Sequence, residues 1–166
     1  AEMEPDSARW EPNYPNQYAT LLLTGRNSTR TTYGGSEPYD KLAENPRLVR
    51  LFAGYGFSKQ YDEDRGHLHS LADVRASQRV NQSTPGACYA CKSADTPRLW
   101  AEMGAAHFSK TPFSQLGQQS NHPIGCANCH DAETTRLIVT NPALDEALKA
   151  QGQDWRTFTR QEMRTV

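Results

Sequence analysis

The chain has 166 residues, with 18 Lys plus Arg against 19 Asp plus Glu, a formal net charge of −1. That balance argues against a nucleic-acid-binding surface, which needs a basic excess, and no apolar run approaches the ~20 residues of a membrane span. Hydrophobic residues make up 36% and mean hydropathy is −0.80, so a domain this poor in core residues calls for a staple, a metal or a cofactor.

Taken in chain order, Ala1-Glu2-Met3-Glu4 carries neither the charged nor the apolar region of a signal peptide. Residues 1–37 are rich in Pro, Asn, Thr and Gly, with Tyr33-Gly34-Gly35 as a turn signal, and read as an irregular N-terminal segment. A short helix is expected near Tyr39 to Ala53, interrupted at Pro46, and another over Asp73 to Gln78. After Lys92 a helix is expected with Pro97 in its first turn and Leu99, Trp100 and Met103 on one face. Phe113 to Gly125 reads as loop. Asn141-Pro142 reads as cap plus first-turn proline of a helix reaching Gly152. Thr159-Arg160-Gln161-Glu162 has the pattern of a capping box opening a last helix. No strand pair stands out. The fold class expected is mainly α with long irregular loops, and residues 38–166 form a region organised around the cysteines.

Those cysteines come as two pairs, Cys88-Tyr89-Ala90-Cys91 and Cys126-Ala127-Asn128-Cys129. A zinc site is one reading, but the separation of the pairs exceeds the typical ~15–20 residues. A disulfide framework is a second. A thioredoxin-like redox motif is a third, and it lacks a surrounding βαβ pattern. The fourth is covalent haem attachment, because Cys126-Ala127-Asn128-Cys129-His130 is a complete C-x-x-C-H. Two thiols add across the two vinyl groups of one porphyrin edge, and the next residue lies beneath the iron, where a His nitrogen can ligate it.

The first pair departs from that pattern, since Lys92 stands where the histidine should be. A lysine ligates iron only as the neutral amine, so its proton affinity must be lowered by a buried, dry setting and by the metal. C-x-x-C-K followed by C-x-x-C-H resembles the ammonia-forming cytochrome c nitrite reductases, periplasmic pentahaem enzymes. Supporting stretches follow in the same order: Tyr14-Pro15-Asn16-Gln17-Tyr18, Asn45-Pro46-Arg47-Leu48-Val49 into Ala53-Gly54-Tyr55-Gly56-Phe57-Ser58, Arg65-Gly66-His67, and Asp73-Val74-Arg75 with Arg79.

The resemblance implies two haem c groups on this chain, on Cys88/Cys91 and Cys126/Cys129. Lys92 and His130 would be their proximal ligands, and His67 a distal ligand of a third haem. It implies Arg79 as the catalytic arginine facing the open iron position, with Arg75 the nearest alternative. A guanidinium is permanently charged and can fork onto nitrite oxygens. Family members are about three times as long, so the resemblance implies the N-terminal portion of such an enzyme. A calcium site and the rest of the polypeptide would then lie beyond this chain, the complete enzyme would be a homodimer, and its partner a membrane or periplasmic electron donor. Two functional classes stay open: the catalytic-haem part of an enzyme reducing nitrite to ammonium, and a two-haem electron carrier without its own substrate. An exchangeable position on the Lys92 haem separates them.

Overall fold

The structure, a computed structural model, describes residues 3–30, 32 and 37–166; the Tyr33-Gly34-Gly35 turn lies outside them. The fold is mainly helical. Its helices are α1 (Pro15–Arg26), α2 (Lys41–Glu44), α3 (Arg47–Leu51), α4 (Ser70–Ala76), α5 (Thr96–Met103), α6 (Ala105–Lys110), α7 (Phe113–Gln119) and α8 (Pro142–Ala150). No sheet forms among the described residues; strand-like pairing is limited to isolated bridges such as Ser93 with Pro123 and His130 with Leu137.

The core is drawn from a short stretch of chain. Leu71 and Val74 of α4, Tyr89, Leu99 of α5, Phe108 of α6, and Phe113 and Leu116 of α7 form one buried cluster. Each such side chain stabilises by about 1.5–3 kcal/mol when fully buried. Tyr89 belongs to the first cysteine motif, and its ring stacks on Phe113 with centroids 4.8 Å apart. The core therefore grips the motif from inside. Gly86 lets the motif approach α7 closely: a Cβ there would lie 3.0 Å from Leu116 Cδ2 and 3.2 Å from the Thr111 carbonyl.

Several helices match their sequence signals. Pro46 splits the segment near 39–53 into α2 and α3, Pro97 lies in the first turn of α5, and the Asn141 side chain accepts from the N–H groups of Ala143 and Leu144 to cap α8. Others differ. Residues 1–37, expected to be irregular, contain the twelve-residue α1. Its apolar residues are not confined to one stripe and none is buried, so the 3.6-residue periodicity was absent from its sequence. Instead α1 is fastened by contact: His69 Nε2 donates to the Gly25 carbonyl at 2.9 Å.

Phe113 to Gly125, expected to be loop, begins with α7. Only Phe113 and Leu116, one turn apart, mark its buried face, and the polar residues and Gly117 around them dilute the signal. α4 starts at Ser70, three residues before the expected Asp73. At the far end the capping box does form, with Thr159 N–H donating to Glu162 Oε2 at 2.7 Å. It opens only a single 3₁₀ turn, Glu162–Arg164.

Candidate functional site

Both cysteine motifs are built on 3₁₀ turns, Gly86–Cys91 and Cys126–Asn128, with Cys129 as the C-cap of the second. The two motifs are built differently. In the first, Tyr89 is 1% exposed while Cys88 and Cys91 face outward. The chain after it is buried from Ser93 to Thr96. Thr96 Oγ1 donates to the Tyr89 carbonyl at 2.8 Å, which closes the turn. Ser70 Oγ donates to the Lys92 carbonyl at 2.8 Å and accepts from the Ile124 N–H at 3.1 Å, joining both motif approaches to α4. Asp95, 3% exposed, accepts from the backbone of Asn121 and His122 and from His122 Nδ1. Burial opposes its ionisation, but the His122 ring and the two backbone N–H groups outweigh burial and hold its pKa below the usual value.

Lys92 and Arg79 line one cavity of about 360 Å³, together with Asp64, Arg65 and Asp73. Arg65 and Asp73 are paired there. Arg79 rests its guanidinium 4.8 Å above the Phe57 ring, and its Nε donates to Ser77 Oγ at 3.3 Å. Arg75 is turned elsewhere: it donates to the carbonyls of Gly117 and Ser120 and ties α4 to the end of α7. The structure thus separates the two arginines that the sequence left close. The Lys92 side chain is 37% exposed, with Nζ 3.8 Å from Asp64 Oδ1.

The second motif is fastened from a distance. Cys126 N–H donates to Ser7 Oγ at 3.3 Å, and Tyr14 OH donates to the Ala132 carbonyl at 2.7 Å. His130 Nδ1 lies 2.9 Å from the Thr135 carbonyl. A carbonyl only accepts, so Nδ1 carries a proton, which leaves Nε2 as the ring nitrogen for a metal. The turn that supplies this carbonyl is held by Asp131, whose carboxylate accepts from Thr134 N–H and Thr134 OH. Those two bonds keep the Asp131 pKa below the usual value.

The residues present fit covalent haem. All four thiols are free. Among the described residues no three His, Cys, Asp or Glu side chains gather as a metal-ion cluster, so the two pairs do not build one tetrahedral zinc site. Beside His130 lies a cavity of about 550 Å³ with Leu137, Phe158 and Met163 on its wall. Arg136, Arg156, Arg160 and Arg164 line the same cavity. Apolar surface with a cationic rim matches a flat dicarboxylate macrocycle. Sequence reasoning missed these four arginines; their concentration after residue 135, interleaved with Trp155 and Phe158, was the available signal. His67 lines a smaller cavity of about 200 Å³ with Cys91 and Cys129, between the two motifs. His107 is exposed, as a surface residue should be.

Comparison with known proteins bears on this arrangement. The chain is similar to the cytochrome c-552 of Parabacteroides distasonis, 39% identical over 99% of this chain and 35% of the relative. It is similar to that of Porphyromonas gingivalis, 37% identical over 100% of this chain and 35% of the relative. Among solved structures it resembles the catalytic subunit of cytochrome c nitrite reductase from Desulfovibrio desulfuricans, a structure described for its two calcium sites. There the TM-score is 0.87 at 29% identity, covering 99% of this chain and 39% of the other. The chain therefore spans little more than a third of the length of these relatives. The family model for cytochrome c552 matches residues 6–166, and the chain belongs to the cytochrome c552 family, whose cofactor is covalently bound haem c.

Proposed function

We propose that this chain supplies the catalytic-haem part of an ammonia-forming nitrite reductase acting in the periplasm. Two haem c groups would be held by Cys88/Cys91 with Lys92 and by Cys126/Cys129 with His130. The observation that carries this reading is the shared cavity of Arg79 and Lys92 directly beside the first motif; the likeness to a nitrite reductase catalytic subunit supports it. When bound, such a haem would supply an iron that takes the anion and would pass on, one at a time, the electrons of an external donor for a six-electron, multi-proton reduction.

The chain's own residues supply the rest. Lys92, with Nζ 3.8 Å from Asp64 Oδ1, would hold the iron through its side-chain nitrogen; Asp64, 86% exposed, can turn to water without burying its charge. Arg79 offers a permanent cation for nitrite and for the negative charge that develops as an N–O bond breaks. Its footing on Phe57 and Ser77 orients that cation. Arg65 neutralises Asp73, which lowers the repulsion an entering anion meets. His130 presents Nε2 through its Thr135 bond. Electron delivery, any calcium site, a homodimer interface and the haem for which His67 would be a distal ligand belong, in this reading, to the assembled longer enzyme.

The test is titration of the haem-loaded protein with nitrite, cyanide and hydroxylamine, read optically and by EPR, with Arg79→Ala alongside. Loss of a charge-assisted hydrogen bond of about 1.5–3 kcal/mol should weaken anion binding by roughly tenfold or more. A first haem that is low-spin and inert to all three ligands would leave the two-haem electron carrier in place of the enzyme.

A further inference from the structure

Two adjacent residues touch both cysteine motifs at the same relative position. Thr140 Oγ1 donates to the carbonyl of Asn128, the third residue of Cys126-Ala127-Asn128-Cys129, at 2.6 Å. Asn141 Nδ2 donates to the carbonyl of Ala90, the third residue of Cys88-Tyr89-Ala90-Cys91, at 3.0 Å. The same Nδ2 lies 3.9 Å from Cys91 Sγ. Both residues are half-buried and line the cavity between the motifs, with Cys91 and Cys129 on its walls.

The orientation of the Asn141 amide is fixed by chemistry. Its Oδ1 accepts from Ala143 N–H at 3.0 Å and Leu144 N–H at 3.3 Å as the cap of α8. Backbone donors can be met only by the oxygen, so the NH₂ must point the other way, at the first motif. The chain geometry explains how the pair arrives there. Ile138 N–H donates to the Cys129 carbonyl at 3.0 Å, so the segment leaves directly from the second motif. Three residues further on, at Asn141, it meets the first motif, and α8 continues along α5, where Trp100 Nε1 donates to Glu146 Oε1 at 3.3 Å.

We propose that Thr140 and Asn141 form a bracket that sets the relative placement of the two haem-attachment turns, and so the electronic contact between the two haems. They are positioning residues: each acts through the backbone of a motif, and Asn141 also contacts the sulfur of Cys91. The third carbonyl of a C-x-x-C turn lies next to the second thiol, so a bond to it constrains where that sulfur, and the porphyrin edge attached to it, can sit. The Asn141 contact with Cys91 Sγ adds a donor to one of the sulfurs themselves, a contact of the kind that tunes a haem's potential. The proposal rests on the reading that both motifs carry haem.

The experiment uses the haem-loaded chain and three variants. Asn141→Asp keeps the oxygen that caps α8 but has no N–H to give Ala90. Thr140→Val keeps the shape and lacks the hydroxyl, and Thr140→Ser restores it. Haem content is read by pyridine haemochrome and intact mass, inter-haem contact by EPR coupling and by the rate of electron exchange between the haems. Two haems per chain throughout, with altered coupling and severalfold slower exchange in Asn141→Asp and Thr140→Val but not in Thr140→Ser, is the expected result. Unchanged coupling in both altered variants overturns the bracket. If Asn141→Asp loses a haem, Thr140→Val alone decides. A wild-type chain with fewer than two haems removes the two-haem reading, and the bracket falls with it; that failure is visible in the haem count before any coupling is measured.

Discussion

The two cysteine motifs share a turn type and differ in what holds it. The first turn is built around Tyr89, which sits in the main hydrophobic cluster, and is followed by a buried run from Ser93 to Thr96. In the second motif only Ala127 is buried, while His130 and residues 132–136 are exposed. Its fastenings are hydrogen bonds, several from segments far away in sequence: Ser7 to Cys126, Tyr14 to Ala132, Thr140 to Asn128. Packing resists displacement in every direction, whereas a hydrogen bond contributes only about 0.5–1.5 kcal/mol net, because water competes for both partners. The difference teaches that the polypeptide holds its first motif by packing and its second by bonds brought in from distant segments.

The sharpest way to break that contrast is to empty the core beneath the first motif. Tyr89→Ala should cost about 3–5 kcal/mol, the range for removing a large buried aromatic, since the Tyr89 ring is stacked on Phe113. Ala127→Gly at the equivalent position of the second motif should cost only about 1 kcal/mol. Urea denaturation of both variants reads the difference directly. Equal losses would mean that the first turn is not held by packing.

Next in size is Asp95, the buried carboxylate that joins the end of the first motif to the approach of the second. Asp95→Asn should destabilise by about 1.5–3 kcal/mol, the worth of a hydrogen bond to a charged group. The pH dependence has a definite sign. The folded-state pKa is lowered, so this contribution is fully present above the ordinary aspartate pKa of about 3.9. It is lost as pH falls through the lower, folded-state value. Denaturation midpoints measured between neutral and acid pH should fall more steeply in wild type than in Asp95→Asn. Parallel curves would assign the acid sensitivity to other carboxylates.

How much of this was legible in the sequence depends on whether a residue acts through its own neighbours in the chain. The cap at Asn141, the break at Pro46 and the proline opening α5 are local events, and their residues announce them. So do the cysteine spacings. α7 and α1 were not legible, because their helices are justified by contacts made elsewhere: Phe113 on Tyr89, Gly25 on His69. At the candidate site, Arg79 and Lys92 were nameable from motif order. The separation of Arg79 from Arg75 was not, since it rests on Arg75 reaching the carbonyls of Gly117 and Ser120 in a helix read as loop.

The smallest expected effect lies in the second motif and tests whether its hydrogen-bonded turn carries strain. Thr135 has φ +56°, the left-handed region, where a β-branched side chain crowds the backbone. The conformation is needed because Thr135 N–H donates to the Asp131 carbonyl while its own carbonyl turns back to His130 Nδ1. For an L-residue the region costs about 1–2 kcal/mol, and glycine escapes that cost but loses about 0.5–1 kcal/mol through its greater freedom when unfolded. Thr135→Gly should therefore stabilise by a few tenths to about 1 kcal/mol, measured by denaturation of the chain. The second haem's spectrum should not move, because the carbonyl that orients His130 belongs to the backbone. Asp131→Ala is the opposite manipulation. It removes the carboxylate that accepts from Thr134, frees the turn and should broaden or shift that spectrum without the gain in stability. If Thr135→Gly also disturbed the spectrum, the threonine side chain itself, and not the fold of its turn, would be what holds the histidine.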